Sequence, residues 1–135
     1  MLYDFSNKNS FDMQFKHFEE KILYPQKDFV ILVYAEWCGH CQQMKPLWDK
    51  ECAETNRKTI VNLDSDVMKH LIESKKSHQF SNFISENVQG YPTLMKIVNK
   101  KTHLFDGKRD SKSLNEFINN KDSEISRIVK KYAHK

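Results

Sequence analysis

The chain has 135 residues, room for one domain with one core, and its 39% hydrophobic and 30% charged content is that of an ordinary globular protein. A net charge of +4, with lysine pairs scattered at 75–76, 100–101 and 130–131, argues against the clustered basic footprint of a nucleic-acid binder. No apolar run approaches the roughly 20 residues of a membrane span, and three cysteines are too few for a multi-bridge scaffold.

In chain order, Leu2 to Phe5 is a candidate short first strand. Phe11, Phe15, Phe18 and Ile22 recur at helical spacing, which predicts an amphipathic helix from Ser10 to about Tyr24, ended by Pro25 and the polar residues after it. The stretch FVILVYA (29–35) is β-rich and apolar throughout, as a central strand covered on both faces should be. From Cys38 onward, Met44, Leu47, Trp48 and Cys52 mark a second helix that Pro46 kinks without ending, and the same spacing puts Cys52 in the core. TIVNLD (59–64) reads as a second buried strand, after which Asp64 or Ser65 caps a long polar helical region within 66–87.

TLMKIV and THLF are predicted strands of a hairpin turned by the intervening NKK. The first follows Gly90-Tyr91-Pro92, and a proline opening a strand after glycine and an aromatic residue is a candidate cis bond. Ser111 or Ser113 opens a last helix through Leu114, Phe117 and Ile118, with Ser113 and Glu116 at capping-box spacing. The tail, 121–135, carries Ile125, Ile128 and Val129 on one face and is expected to continue as helix. Such alternation predicts an α/β fold, a mixed sheet with helices on both faces.

The chemistry concentrates in Trp37-Cys38-Gly39-His40-Cys41. Cysteines three apart at a helix start have neighbouring side chains that a small adjustment brings into disulfide range. Cys38 falls in the first turn, where free N–H groups and the positive end of the dipole favour an anion. Cys41 lies one turn deeper. The pair is therefore asymmetric, an accessible nucleophile and a shielded resolving thiol. A cationic His40 imidazole between them would stabilise the thiolate and make the disulfide a better oxidant. The competing reading is a metal pair, but a structural zinc site wants four ligands and no second C-x-x-C is present.

YAEWCGHCQQMKPLW resembles the active-site strand and helix of the thioredoxin superfamily, and WCGHC is the form found in its protein disulfide isomerase domains. VQGYPTL is similar to the family's cis-proline segment. FDGKRDSKSLNEFI is similar to the isomerase Y-x-G-x-R turn and last helix. The likeness runs over about residues 28–120. It implies a thioredoxin fold in one domain spanning 1–135, with an enlarged third helical region at 66–87 and a helical tail at 121–135.

Carried over residue by residue, the resemblance implies Cys38 as attacking and Cys41 as resolving thiol, and Pro92 as the cis-proline beside them. Tyr91 would offer its backbone to an extended substrate, with Trp37 shielding the site and touching substrate. Arg109 matches the arginine that lowers the resolving cysteine's pKa. Two departures matter: the family normally buries an acid six residues before the first cysteine, where Leu32 stands, and the stretch between Asp64 and Pro92 is longer than the family's, so the third helical region is enlarged or carries a loop near the active-site face.

The implied activity is thiol–disulfide exchange on cysteine-containing proteins, by a monomer with no cofactor, no metal, no nucleic acid and no membrane. Glutathione or another oxidoreductase would regenerate the pair. The alternatives are a partner-binding module with little turnover and a subunit-bridging metal or iron–sulfur site. The first residues lack a signal peptide's apolar block and the last are not an endoplasmic-reticulum retention signal. The expected location is therefore the cytoplasm, or the virion of a large DNA virus, suggested by the histidine variant together with nineteen lysines and ten asparagines.

Overall fold

The computed structural model describes residues 1–119 except 56, 57, 75 and 76, so the predicted tail at 121–135 lies outside the described residues. Among those described, five strands form one sheet: β1 (Leu2–Phe5), β2 (Phe29–Tyr34), β3 (Ile60–Asp64), β4 (Thr93–Val98) and β5 (Lys101–Leu104). They lie in the order β1-β3-β2-β4-β5. The first three are mutually parallel; β4 runs antiparallel to β2, and β5 antiparallel to β4.

β2 occupies the centre and all six of its residues are buried, which accounts for its unbroken apolar run. Its side chains alternate between two cores. Ile31 and Val33 face a cluster built largely of aromatic rings, and Val30, Leu32 and Tyr34 face one containing Cys41, Met44, Trp48 and Leu94.

The aromatic side is covered by α1 (Lys8–Phe18), which continues as a π-helical turn at Glu19–Leu23, by α3 (Ser65–Ser74) and by α4 (His78–Asn87). Asn7 caps α1 by accepting from the Asn9 N–H at 2.8 Å, so the helix starts two residues before Ser10. Phe18 is fully buried and its ring lies 5.1–6.2 Å from those of Tyr3, Phe5, Phe15, Phe29 and Phe80. The long region predicted within 66–87 is two helices. The Asp64 carboxylate accepts from the Asp66 N–H at the start of the first, and the Ser77 hydroxyl accepts from the Phe80 N–H at the start of the second.

The other side is covered by α2 (Gly39–Ala53) and α5 (Ser111–Asn119). α2 runs through Pro46 without ending. The buried Trp48 Nε1–H ties α2 to the sheet by donating to Asn62 Oδ1 at 2.8 Å, and Asn115 ties α5 to α2 by donating to the buried Glu51 carboxylate at 2.9 Å. Lys96, buried in β4, donates to the Phe117 carbonyl near the end of α5 at 2.7 Å, complementing the negative end of that helix.

Three local expectations need correction. The hairpin turn is two residues long, because Asn99 and Lys100 both take positive φ (52° and 68°) and Val98 pairs directly with Lys101. That is a type I′ turn, whose twist matches the flanking strands, so Lys101 joins β5. α5 is opened by Asp110, whose carboxylate accepts from the Ser113 N–H at 2.8 Å, and neither Ser111 nor Ser113 serves as the cap. Cys52 is half-buried at the edge of its cluster, where it lines a pocket with Met1, Leu2 and Asp49.

The aromatic cluster carries much of the burial beneath the site. Phe18→Ala is expected to lower the free energy of unfolding by about 3–5 kcal/mol, measured by urea denaturation; a loss below about 1 kcal/mol would mean that the cluster does not hold this side together.

Candidate active site

The central strand delivers the chain to the start of α2, and the first of the paired cysteines is itself the helix cap. Cys38 has extended backbone (φ −87°, ψ 119°), and its sulfur accepts the Cys41 N–H at 3.4 Å. Its own N–H donates to the Ala35 carbonyl at 3.1 Å, and its carbonyl receives the Gln42 N–H at 3.0 Å. A serine or aspartate oxygen usually fills this role; here a sulfur does, which aims the orphan N–H groups of the first turn at it.

The bond between Tyr91 and Pro92 is cis, and the Tyr91 carbonyl lies 3.6 Å from Cys38 Sγ, as acceptor for the thiol when it is protonated. The Trp37 ring is 75% exposed and meets the Tyr91 ring edge-on at 5.8 Å. Cys38, Trp37, Tyr91 and Pro92, drawn from two distant stretches of chain, are thus brought to one end of the sheet.

The two thiols are driven apart. Cys38 is held below the ordinary cysteine value, first by the Cys41 thiol donating to it, with burial opposing, then by the N–H groups of Cys41 and His40 and the charge of Arg109. Cys41 is pushed up to about 11, first by burial and then by the hydrogen bond it gives to Cys38. Arg109 is exposed in the loop before α5, yet its charge reaches both sulfurs.

His40 departs from expectation. Its side chain is exposed, and its contribution to the Cys38 thiolate comes through its backbone N–H. The N–H groups of a helix's first turn point back at the cap, so His40 reaches the Cys38 sulfur through its main chain. Cys52, half-buried and raised to about 12 chiefly by burial, stands apart from the pair. Leu32 is fully buried in the sheet beneath the pair, where it brings no ionisable group. Among the described residues, no three histidine, cysteine or acidic side chains converge as a metal-ligand set.

Sequence reasoning missed one feature. A pocket of about 340 Å³ reaches Cys41, walled by Asp4 and Ser6 from the first strand and its exit, and by Tyr34, Glu36 and Lys45. The signal lay in Leu2 to Phe5, whose alternation puts Asp4 opposite in face to the buried Tyr3 and Phe5.

In the reduced protein at pH 7, iodoacetamide is expected to label Cys38 at least about tenfold faster than Cys41 or Cys52, since the thiolate is the reactive species. Labelling of Cys41 should rise only toward pH 11, where its thiol ionises. Peptide mass spectrometry of timed samples reads all three sites; equal rates would contradict the asymmetry.

The thioredoxin family model matches residues 9–120. The protein disulfide-isomerase of Saccharomyces cerevisiae is 32% identical over 119 residues, covering 84% of this chain and 21% of that protein. Protein disulfide isomerase-like 2-2 of Oryza sativa is 33% identical over 110 residues, covering 78% and 27%. The probable protein disulfide-isomerase A6 of Medicago sativa is 34% identical over 118 residues, covering 84% and 29%. The chain therefore spans about a fifth to three tenths of the length of these curated relatives. Among solved structures, the J-Trx1 fragment of ERdj5 superposes with a TM-score of 0.58 at 17% identity, covering 86% of this chain and 49% of that one. The zinc-bound form of human ERp44 superposes with a TM-score of 0.55 at 19% identity, covering 87% and 30%.

Proposed function

The chain belongs to the thioredoxin family, and from that premise we propose that it is a thiol–disulfide oxidoreductase acting on cysteines of other proteins through a mixed disulfide at Cys38. The observation that carries the reading is the division of labour within one helical turn. Cys38 caps the helix with its sulfur and is held toward the thiolate, while Cys41 is kept protonated behind it.

The Cys38 thiolate attacks a substrate disulfide; one substrate sulfur leaves as thiolate and the other stays bonded to Cys38. Cys41 then loses its proton and attacks Cys38 Sγ. The mixed disulfide breaks, the substrate departs reduced by two electrons, and Cys38 and Cys41 are left as a disulfide. Run backward, the oxidised pair takes two electrons from a substrate dithiol. Reduced glutathione or a dithiol oxidoreductase re-reduces the pair after the forward direction, and a disulfide partner, oxidised glutathione or another oxidised oxidoreductase, re-oxidises it after the reverse. An extended substrate lies along Tyr91 and Pro92 with the exposed Trp37 ring beside it. Arg109 lowers both sulfurs through its charge, and His40 lowers Cys38 through its main-chain N–H.

The weak point of the cycle is the second proton. Leu32 offers no base under Cys41, so mixed disulfides persist longer than they would over a buried carboxylate. The chain is suited to holding or oxidising partners more than to rapid reduction.

Two outcomes follow. Cys41→Ser should accumulate a substrate protein bonded through Cys38, seen as a reducible adduct on a non-reducing gel, while Cys38→Ser accumulates none; adducts independent of Cys38 would contradict the mechanism. Leu32→Glu should speed resolution of the mixed disulfide about tenfold in a single-turnover assay. An unchanged or slower rate would mean that proton removal does not limit this step.

A further inference from the structure

Cys41 must shed a proton to resolve the intermediate, and a solvent-open pocket reaches it. β1, β3, β2 and β4 contribute one residue each to a row of directly paired positions: Asp4, Asn62, Leu32 and Leu94. Paired residues share a face of the sheet. Leu32 and Leu94 belong to the cluster that contains Cys41, so the whole row faces α2.

Its inner members have nothing to give. The two leucines carry no base, and the Asn62 carbonyl oxygen is taken by the Trp48 indole. The acid stands at the open end of the row, on the edge strand β1. Tyr34, two residues beyond Leu32 on the same face, reports the neighbourhood. Its phenol is raised first by burial and next by the charge of Asp4, ahead of Asp64, Glu36 and Asp49.

The pocket joins Asp4 to Cys41. Its 340 Å³ or so opens to solvent and is ample for several waters. Asp4 carries a hydrogen bond from the Ser6 hydroxyl at 3.2 Å, and Lys45, the cation on the opposite wall, is paired with Asp49 at 3.0 Å. Glu36 also lines the pocket but stands past the strand end, exposed and next to Trp37. None of Trp37, Tyr91 and Pro92 lines it. β1 and β4 lie on opposite sides of β2, so this route stays open while a substrate occupies the Tyr91 side.

We propose that Asp4 accepts, through water in this pocket, the proton that Cys41 releases as it attacks the mixed disulfide. The proposal rests on the oxidoreductase reading above. The Cys41 S–H bond breaks, its proton passes to the Asp4 carboxylate and on to bulk water, and its electron pair forms the bond to Cys38 Sγ while the substrate sulfur leaves as thiolate. No further oxidant or reductant enters the step. Asp4 acts through solvent, as a positioning residue for proton transfer.

The test separates the two half-steps. The reduced full chain is mixed with excess oxidised glutathione, quenched in acid at intervals, and weighed by mass spectrometry, so that the Cys38–glutathione adduct is seen forming and then decaying. In Asp4→Asn, formation should match the parent while decay slows about tenfold at pH 7. Asp4→Glu should stay close to the parent, and added formate, small enough to enter the pocket, should restore the Asn variant's decay. Unchanged decay in Asp4→Asn, equal slowing in Asp4→Glu, or a comparable loss in Glu36→Gln with none in Asp4→Asn would each overturn the assignment. Were the parent to form no Cys38 adduct at all, the oxidoreductase reading itself would fall, and the proton route with it.

Discussion

A single contact organises the site: the sulfur of Cys38 standing where a helix cap stands, receiving the Cys41 N–H at 3.4 Å. A helix must satisfy its first N–H groups somehow, and here those groups converge on a thiol. The thiol is therefore acidified by the requirement that also starts the helix. Everything else serves to hold that helix start in place. The fully covered strand β2 aims the chain at it, the Trp48–Asn62 bond pins the helix to the neighbouring strand, and the Asn115–Glu51 bond ties it to α5.

The same geometry sets the second sulfur against the first. One turn further along the helix, Cys41 is only 2% exposed and finds the hydrogen-bonding partner that keeps it protonated, Cys38 itself. The pair shares its charge unequally, with the proton held on the inner sulfur and the negative charge favoured on the outer. The two ends of the proposed exchange then belong to opposite flanks of β2 on one face of the sheet. In the proposed exchange, substrate sulfur would meet Cys38 where the Tyr91 carbonyl stands 3.6 Å from it, on the β4 side of β2. Solvent reaches Cys41 from the β1 side, past Asp4. A central leucine in the row under the pair keeps the core dry between them, and the carboxylate stands on the exposed edge strand, where its charge costs little.

Much of this is legible in the residues themselves. Local periodicity exposes β2, α2 and the aromatic helix, because burial on two faces or one stripe imposes its spacing directly on the chain. The cysteine pair is legible because its chemistry depends on neighbours in sequence. So is the bond before Pro92, which takes the cis form. What escapes depends on pairing between distant stretches or on competition between near-equivalent residues. The alternation in LYDF shows which face Asp4 takes, but it joins Leu32 in one row only through the register of β1 on β3 and β3 on β2. Asp110 outcompetes two serines for the same cap, a choice among neighbours that each fit. His40 reads as a charge between two sulfurs because adjacency in sequence says nothing about which way a first-turn side chain projects.

The central claim is that the Cys41 thiol and the backbone N–H groups of the helix start favour the thiolate of Cys38, which stabilises the reduced pair. The most direct measurement is the equilibrium reduction potential of the Cys38–Cys41 disulfide, read in graded glutathione buffers. A value clearly less negative than the roughly −270 mV of thioredoxin is predicted, because a stabilised thiolate makes the disulfide more oxidising. A value at or below that level would contradict the account.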